Sequence, residues 1–397
     1  MPDARSFASH RTPTLLALGF RPFFLAAGVS PCLSLLVWLA MLQGLLPINL
    51  QFAGSAWHAH EMLYGYAMAV IAGFLLTAVR NWTGQQTAAG AALAGLLLLW
   101  LLARALPWIA LPAWIGAALA AALPLSLAWS LRRPLWSGPN PVNRVFLALL
   151  AGMALAAGWS HLRAAGAIPL GLMPARLSAD RLMLDLILLT LLIVSGRVLP
   201  FFTRAAVSDA NPRSRPWLET LTFAAAGVWI TADLASPWPA LNAATALVLA
   251  LILALRVGGW HDRRVWRIPI LAVLYAGALW LILGLVLQAL AALALIPPNP
   301  ALHALTAGAI GVFTIGMMVR VTLGHTGRPM TTPPALVVAF VAINAAALIR
   351  VGFPLLWPGA YGTWMLLSGV LWSGAFAAFL VVIGPMLLAP RVDGRPL

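Results

Sequence analysis

Apolar runs of roughly 20 residues, broken by short stretches rich in Pro, Gly and Arg, recur from one end of the chain to the other. A helix rises ~1.5 Å per residue, so each run matches the ~30 Å hydrocarbon thickness of a bilayer. The runs lack the strict alternation of strands, and they predict an all-α polytopic membrane protein of about twelve spans. The expected spans lie near 15-43, 57-79, 89-107, 111-131, 142-164, 182-203, 217-235, 238-256, 268-295, 301-323, 333-351 and 361-388. A single transmembrane domain is expected to cover residues 1-397.

Composition supports the same reading, since 62% of the 397 residues are apolar and 8% are charged. A soluble fold could not bury that much apolar surface. The net charge of +15 would suggest nucleic acid in a soluble protein, but all 24 basic residues are Arg, scattered between the spans. Topology explains them better. With the N-terminus in the cytoplasm, 19 arginines (Arg21, Arg80, Arg132, Arg133, Arg213, Arg263 and Arg264 among them) fall at the inner face, where they can hold anionic lipid headgroups. Only Arg104, Arg163, Arg176, Arg181 and Arg350 fall outside. Both termini are therefore expected in the cytoplasm, with the lipid bilayer as partner and no nucleic acid. The first 14 residues lead into a long span with no small-residue cleavage site, so an uncleaved first helix is expected. Many of the 18 Trp, such as Trp57, Trp108 and Trp238, fall near span ends and fit interfacial belts. The lone Cys32 excludes a disulfide, and no Cys-x-x-Cys-His site for covalent haem exists.

His60, Gly65, Gly73, Thr83 and Gly84 reappear 243 positions later as His303, Gly308, Gly316, Thr326 and Gly327. Arg21, Arg144 and Arg267 are spaced by 123, and Asp180, Arg197 and Thr203 match His303, Arg320 and Thr326 at the same interval. These spacings suggest three four-helix units, near 15-131, 142-256 and 268-388.

The candidate chemistry sits at the outer ends of spans two and ten. Trp57-His58-Ala59-His60-Glu61-Met62 opens the former and His303 the latter, so three imidazoles share one depth. Ionisable groups in a bilayer are costly and normally face the bundle interior, and neutral imidazole is a common haem and metal ligand. His58 and His60 stand ~200° apart on a helix and are not expected to bind one ion together. One could share a haem iron with His303 while the other addresses a second metal, a propionate or a neighbouring helix. Hydrogen-bonded interfacial histidines are the alternative. Glu61 could accept a proton, orient an imidazole, bind metal or cap the helix, and Met62 could offer a thioether to Cu(I) or merely pack.

His325 lies 22 residues beyond His303, ~33 Å along a helix, and cannot share its metal. With Arg80, Arg197 and Arg320 it could form a second polar cluster at the inner face, unless the arginines snorkel to headgroups. His161, Asp180, Asp185 and Asp233, on outer halves, could line the first site. His10 and His261 read as solvated or headgroup-level residues. No nucleotide-binding Gly loop, zinc-protease helix or nucleophile elbow is present.

With these residues in view the chain resembles the NnrS family of membrane proteins associated with the bacterial response to nitric oxide. The resemblance rests on Gly19-Phe20-Arg21-Pro22-Phe23-Phe24, the stretch from Trp57 to Gly65, that from Gly73 to Gly84, the segment Gly196 to Thr203, and His303 through Pro329. It implies a twelve-span inner-membrane protein containing haem and copper, with a role in resisting nitrosative stress, and it implies no particular reaction. The architecture is also similar to the catalytic subunit of haem-copper oxidases, which takes low-spin haem ligands from spans two and ten. His60 or His58 and His303 occupy matching places, implying one bis-histidine haem b, and Arg350 is the expected propionate partner. Spans six and seven carry no histidine here, so an oxygen-reducing haem with its copper is not implied, and the copper ligands stay open. The expected role is nitric oxide binding or electron transfer from an unidentified donor. A permease, or a haem or copper assembly factor, is the alternative.

Overall fold

A computed structural model describes residues 13–46, 52, 54–168 and 177–394. His10, Arg176 and residues 1–12 of the N-terminal segment lie outside the described residues. Twelve long helices and no β-strand are found among the described residues. They are α1 Phe20–Leu42, α2 Ser55–Thr83, α3 Gly90–Trp108 and α4 Ala113–Ser137. Next come α5 Pro141–Ala164, α6 Ala179–Ala206, α7 Pro216–Ala235 and α8 Pro239–Trp260. The last four are α9 Pro269–Ala292, α10 Pro298–His325, α11 Pro334–Leu356 and α12 Tyr361–Leu388. Every expected span has its helix, displaced by a few residues at the ends.

Eleven of the twelve are long and apolar enough to cross a membrane. The exception is α7, where Glu219 and Asp233 dilute the apolar run. Both acids are neutralised by other helices: Glu219 by Arg256 of α8, and Asp233 by Arg181 of α6 with Nε–Oδ2 at 2.6 Å.

The helices pack in sequence around three inner ones. Of the most apolar stretch of each span, 89% is buried in protein for α2, 72% for α10 and 67% for α6, against at most 56% elsewhere. These three touch one another at the centre, and a hydrogen bond between the hydroxyls of Tyr66 and Thr314 ties α2 to α10. Without a hydrophobic driving force between helices in lipid, close packing needs small residues at the crossings. At Gly277 of α9 an added Cβ would meet the backbone nitrogen of Phe313 at 2.8 Å. The chain closes on itself where α1 packs against α12. There the Arg21 guanidinium, completely buried, donates to the carbonyls of Leu387 at 2.8 Å and Ala389 at 2.7 Å, satisfying backbone groups the helix end leaves free.

Two inner helices share an irregularity. In α2 the hydrogen bonding widens to a π-helix over Glu61–Ala67, immediately after His60. In α10 it does so over Ala304–Val312, immediately after His303. π-Segments are rare and cluster at functional sites, because the extra residue per turn re-aims side chains around it. Gly65 and Gly308, related by the 243-residue spacing, lie within these segments and leave room for close neighbours, Arg104 and the Trp280 ring respectively.

Candidate functional site

The π-segments anchor two imidazole groupings at one end of α2. His58 and His60 diverge, as a spacing of two residues on a helix requires. The His58 ring stacks on Trp38 of α1, with centroids 5.5 Å apart, and its Nδ1 is buried with no hydrogen-bond partner among the described residues. Arg350 acts electrostatically on both His58 and His303, and His58 acts more weakly on His303. His303 donates Nδ1–H to the carbonyl of Asn299 one turn earlier, at 2.9 Å, which leaves the lone pair on Nε2. The Arg350 guanidinium is steered by Tyr361, whose hydroxyl it meets at 2.9 Å; the same hydroxyl accepts from Asn299 at 3.3 Å. Of the two α2 histidines, His58 is the one that shares the field of Arg350 with His303.

His60 turns the other way, into protein. Its Nδ1 meets Glu61 Oε1 at 3.1 Å, and its Nε2 meets Nε2 of His161 on α5 at 3.2 Å. Both imidazoles are 1% exposed. The second Glu61 oxygen accepts from Arg104 Nη1 of α3 at 2.9 Å, and Arg104 Nη2 donates to the Tyr64 carbonyl at 3.1 Å. The ring of Tyr64 stacks on His60, and its hydroxyl donates to Asp180 at 3.0 Å. Phe52 covers both rings, with centroids 4.5 Å from His60 and 5.1 Å from His161. The π-segment supplies Glu61 and Tyr64 together, so the widened turn builds this polar nest. A small cavity beside it, with room for about one water molecule, is lined by His60, His161, Tyr64 and Arg104, and by Met68, Met153 and Met183. Met62, half-buried, is not among the lining residues. Among the described residues no three of His, Cys, Asp and Glu converge on one point.

The expected second cluster separates into pieces. His325 Nε2 lies 3.3 Å from Asn81 Nδ2, with Arg80 and Arg391 acting on the ring. Arg197 donates to Asn143 at 2.6 Å and lies over the Trp82 ring. Arg320 is 8% exposed and sits 3.7 Å from the centroid of Phe202. These two arginines are held by protein groups instead of reaching outward to headgroups. Asp185 and Asp233 are buried away from the imidazoles, near Arg181, and Gln288 donates to Asp233 at 2.7 Å. His261 is exposed and accepts from Trp266.

The pairing of His161 with His60 and the place of Arg104 were missed by sequence reasoning. Arg104 read as one of few outer-face arginines, and that rarity was the signal: an arginine on the side poor in them often has a fixed partner. The three methionines carried no such signal, because thioethers in apolar spans are usually packing.

No curated protein matches the chain significantly. The family model described as NnrS protein matches residues 14–391, nearly the whole length, and takes in all twelve helices and both imidazole groupings. The chain therefore belongs to the NnrS family.

Proposed function

We propose that this membrane protein binds one haem b between His58 and His303 and acts in the bacterial response to nitric oxide, by binding that molecule or by passing electrons from a donor still to be identified. The observations that carry the reading are the buried, unpartnered Nδ1 of His58 and the fixed tautomer of His303, with Arg350 acting electrostatically on both rings. The donor set fits a haem iron. The Asn299 carbonyl holds His303 in the tautomer whose Nε2 can ligate, Trp38 fixes the plane of the His58 ring, and a nitrogen of that ring has no other buried partner. Arg350 supplies the positive charge that a propionate requires, and Tyr361 keeps it in place. Bound haem would supply one-electron chemistry; with two histidines on the iron no position is open to a ligand, so nitric oxide could reach it only after one imidazole leaves. The arginine distribution favours the cytoplasmic, inner bacterial membrane, with both termini on the cytoplasmic side.

Purified protein, expressed with ample haem, should show a Soret band. His58→Ala and His303→Ala should abolish its six-coordinate low-spin form, while His60→Ala should retain it. Wild type without haem, or haem lost from His60→Ala but kept by His58→Ala, defeats the proposal. An assembly factor would pass its haem to an acceptor, so stoichiometric haem that survives purification separates that alternative.

A further inference from the structure

The geometry points to a Cu(I) site between His60 and His161, completed by thioether sulfur from the methionines of the adjoining cavity. This deepens the proposed function without depending on haem at His58 and His303.

The imidazoles face each other through their Nε2 atoms at 3.2 Å. Glu61, paired with Arg104, is an acceptor, so His60 carries its proton on Nδ1 and presents a lone pair from Nε2. In a bare pair, His161 must then point an N–H at that lone pair, leaving its own Nδ1 as a buried acceptor with no partner. An ion between the rings removes that need, because both Nε2 lone pairs ligate. With metal–imidazole bonds of ~2.0–2.1 Å, a nitrogen separation of 3.2 Å subtends about 99–106° at the ion, close to the tetrahedral angle. The carboxylate behind His60 Nδ1 is the customary second partner of a metal-bound histidine, fixing its tautomer and raising its basicity.

The choice of ion follows from the other walls. Met68, Met153 and Met183, from α2, α5 and α6, are each at most 2% exposed and line the same cavity. Soft thioethers combined with imidazole favour Cu(I) over harder divalent ions. Its single charge also suits the depth, since the Born cost of burying an ion rises with the square of its charge. The Glu61 and Arg104 charges already cancel, and the Asp180 carboxylate that accepts from Tyr64 would offset the single charge of the ion.

The experiment is anaerobic Cu(I) titration of the purified full-length protein against a chromophoric chelator, with X-ray absorption at the copper edge. The expected result is one Cu(I) per chain with a nitrogen shell and a sulfur shell. His161→Gln should abolish stoichiometric binding, and Glu61→Gln should weaken it ~10–100-fold. The Soret band of His161→Gln should stay as in wild type, and His303→Ala should still take up copper. Wild type that takes up no Cu(I), a spectrum without sulfur, or His161→Gln with wild-type affinity overturns the assignment. If His161→Gln fails to fold, the wild-type spectrum decides. Copper without haem would defeat the proposed function and leave this site standing.

Discussion

Removing Arg104 tests whether the polar nest behind His60 is built as an ion pair. Glu61 is 5% exposed, and its two oxygens meet Arg104 Nη1 at 2.9 Å and His60 Nδ1 at 3.1 Å. At an effective dielectric of about 20, unit charges separated by 2.9 Å attract by ~6 kcal/mol, of which desolvation of both ions offsets a large part. The net value of such a pair is small, but a stranded partner is expensive. Arg104→Met leaves the Glu61 carboxylate with only a neutral imidazole, and should lower the unfolding free energy by ~3–5 kcal/mol. Glu61→Gln with Arg104→Met removes both charges and should recover much of that loss, giving a coupling of ~2–3 kcal/mol between the positions. Reversible unfolding in mixed micelles titrated with dodecyl sulfate, followed by tryptophan fluorescence, measures all four corners of the cycle. If Arg104→Met costs less than ~1 kcal/mol, or the two changes add to within ~0.5 kcal/mol, the charges are not coupled and the ion-pair account of this nest is wrong.

Arg350→Gln should retain haem but lower its midpoint potential, because a positive charge near the iron favours the reduced state; an unchanged or higher potential in an optical redox titration would remove Arg350 from the haem environment. Gly196→Ala should destabilise by ~3–5 kcal/mol despite the ~1 kcal/mol that alanine gains in a helix. Its Cβ would collide with Arg256 Nη2, and that guanidinium is held by Glu219 and by the Leu192 carbonyl at 3.1 Å; a stable variant in the same unfolding assay would show that the arginine can withdraw. On the exposed loop between α8 and α9, hydrogen bonds from the Arg264 side chain and then its backbone N–H hold the Asp262 carboxyl down at about 2. Its folded pKa is depressed, so any contribution to folding is present above the ordinary carboxylate value of about 3.9 and lost as pH falls toward 2. Isotope-edited infrared titration of Asp262 checks this, and a midpoint near 4 would count against the Arg264 contact.

Span positions were legible in the chain because the bilayer imposes a length and an apolarity that need no knowledge of neighbours. The extremes of α7, Pro216–Ala235, fall within a residue of the expected segment 217-235 even though Glu219 and Asp233 interrupt its apolar run and it is not among the eleven helices apolar enough to cross a membrane. The divergence of His58 from His60 was equally legible, since it follows from helical pitch. The 243-residue spacing matched His60 of α2 to His303 of α10, although His60 turns to His161 instead, and it gave no sign of the π-segments behind the two histidines, which are set by hydrogen bonds that shift under tertiary packing. Which histidine would face His303, and which would find His161, depends on how α2 is rotated against α1, α5 and α10. That rotation comes from close contacts such as Gly65 with Arg104 and the stacking of Trp38 on His58. The sequence by itself therefore determined a bundle of membrane helices with imidazoles level at one face, because hydropathy and helical period are local properties. Only the tertiary structure decided the partners of each imidazole and gathered three methionines from α2, α5 and α6 around one cavity, because those contacts join residues of different helices, such as His60 and His161, whose proximity no local pattern records.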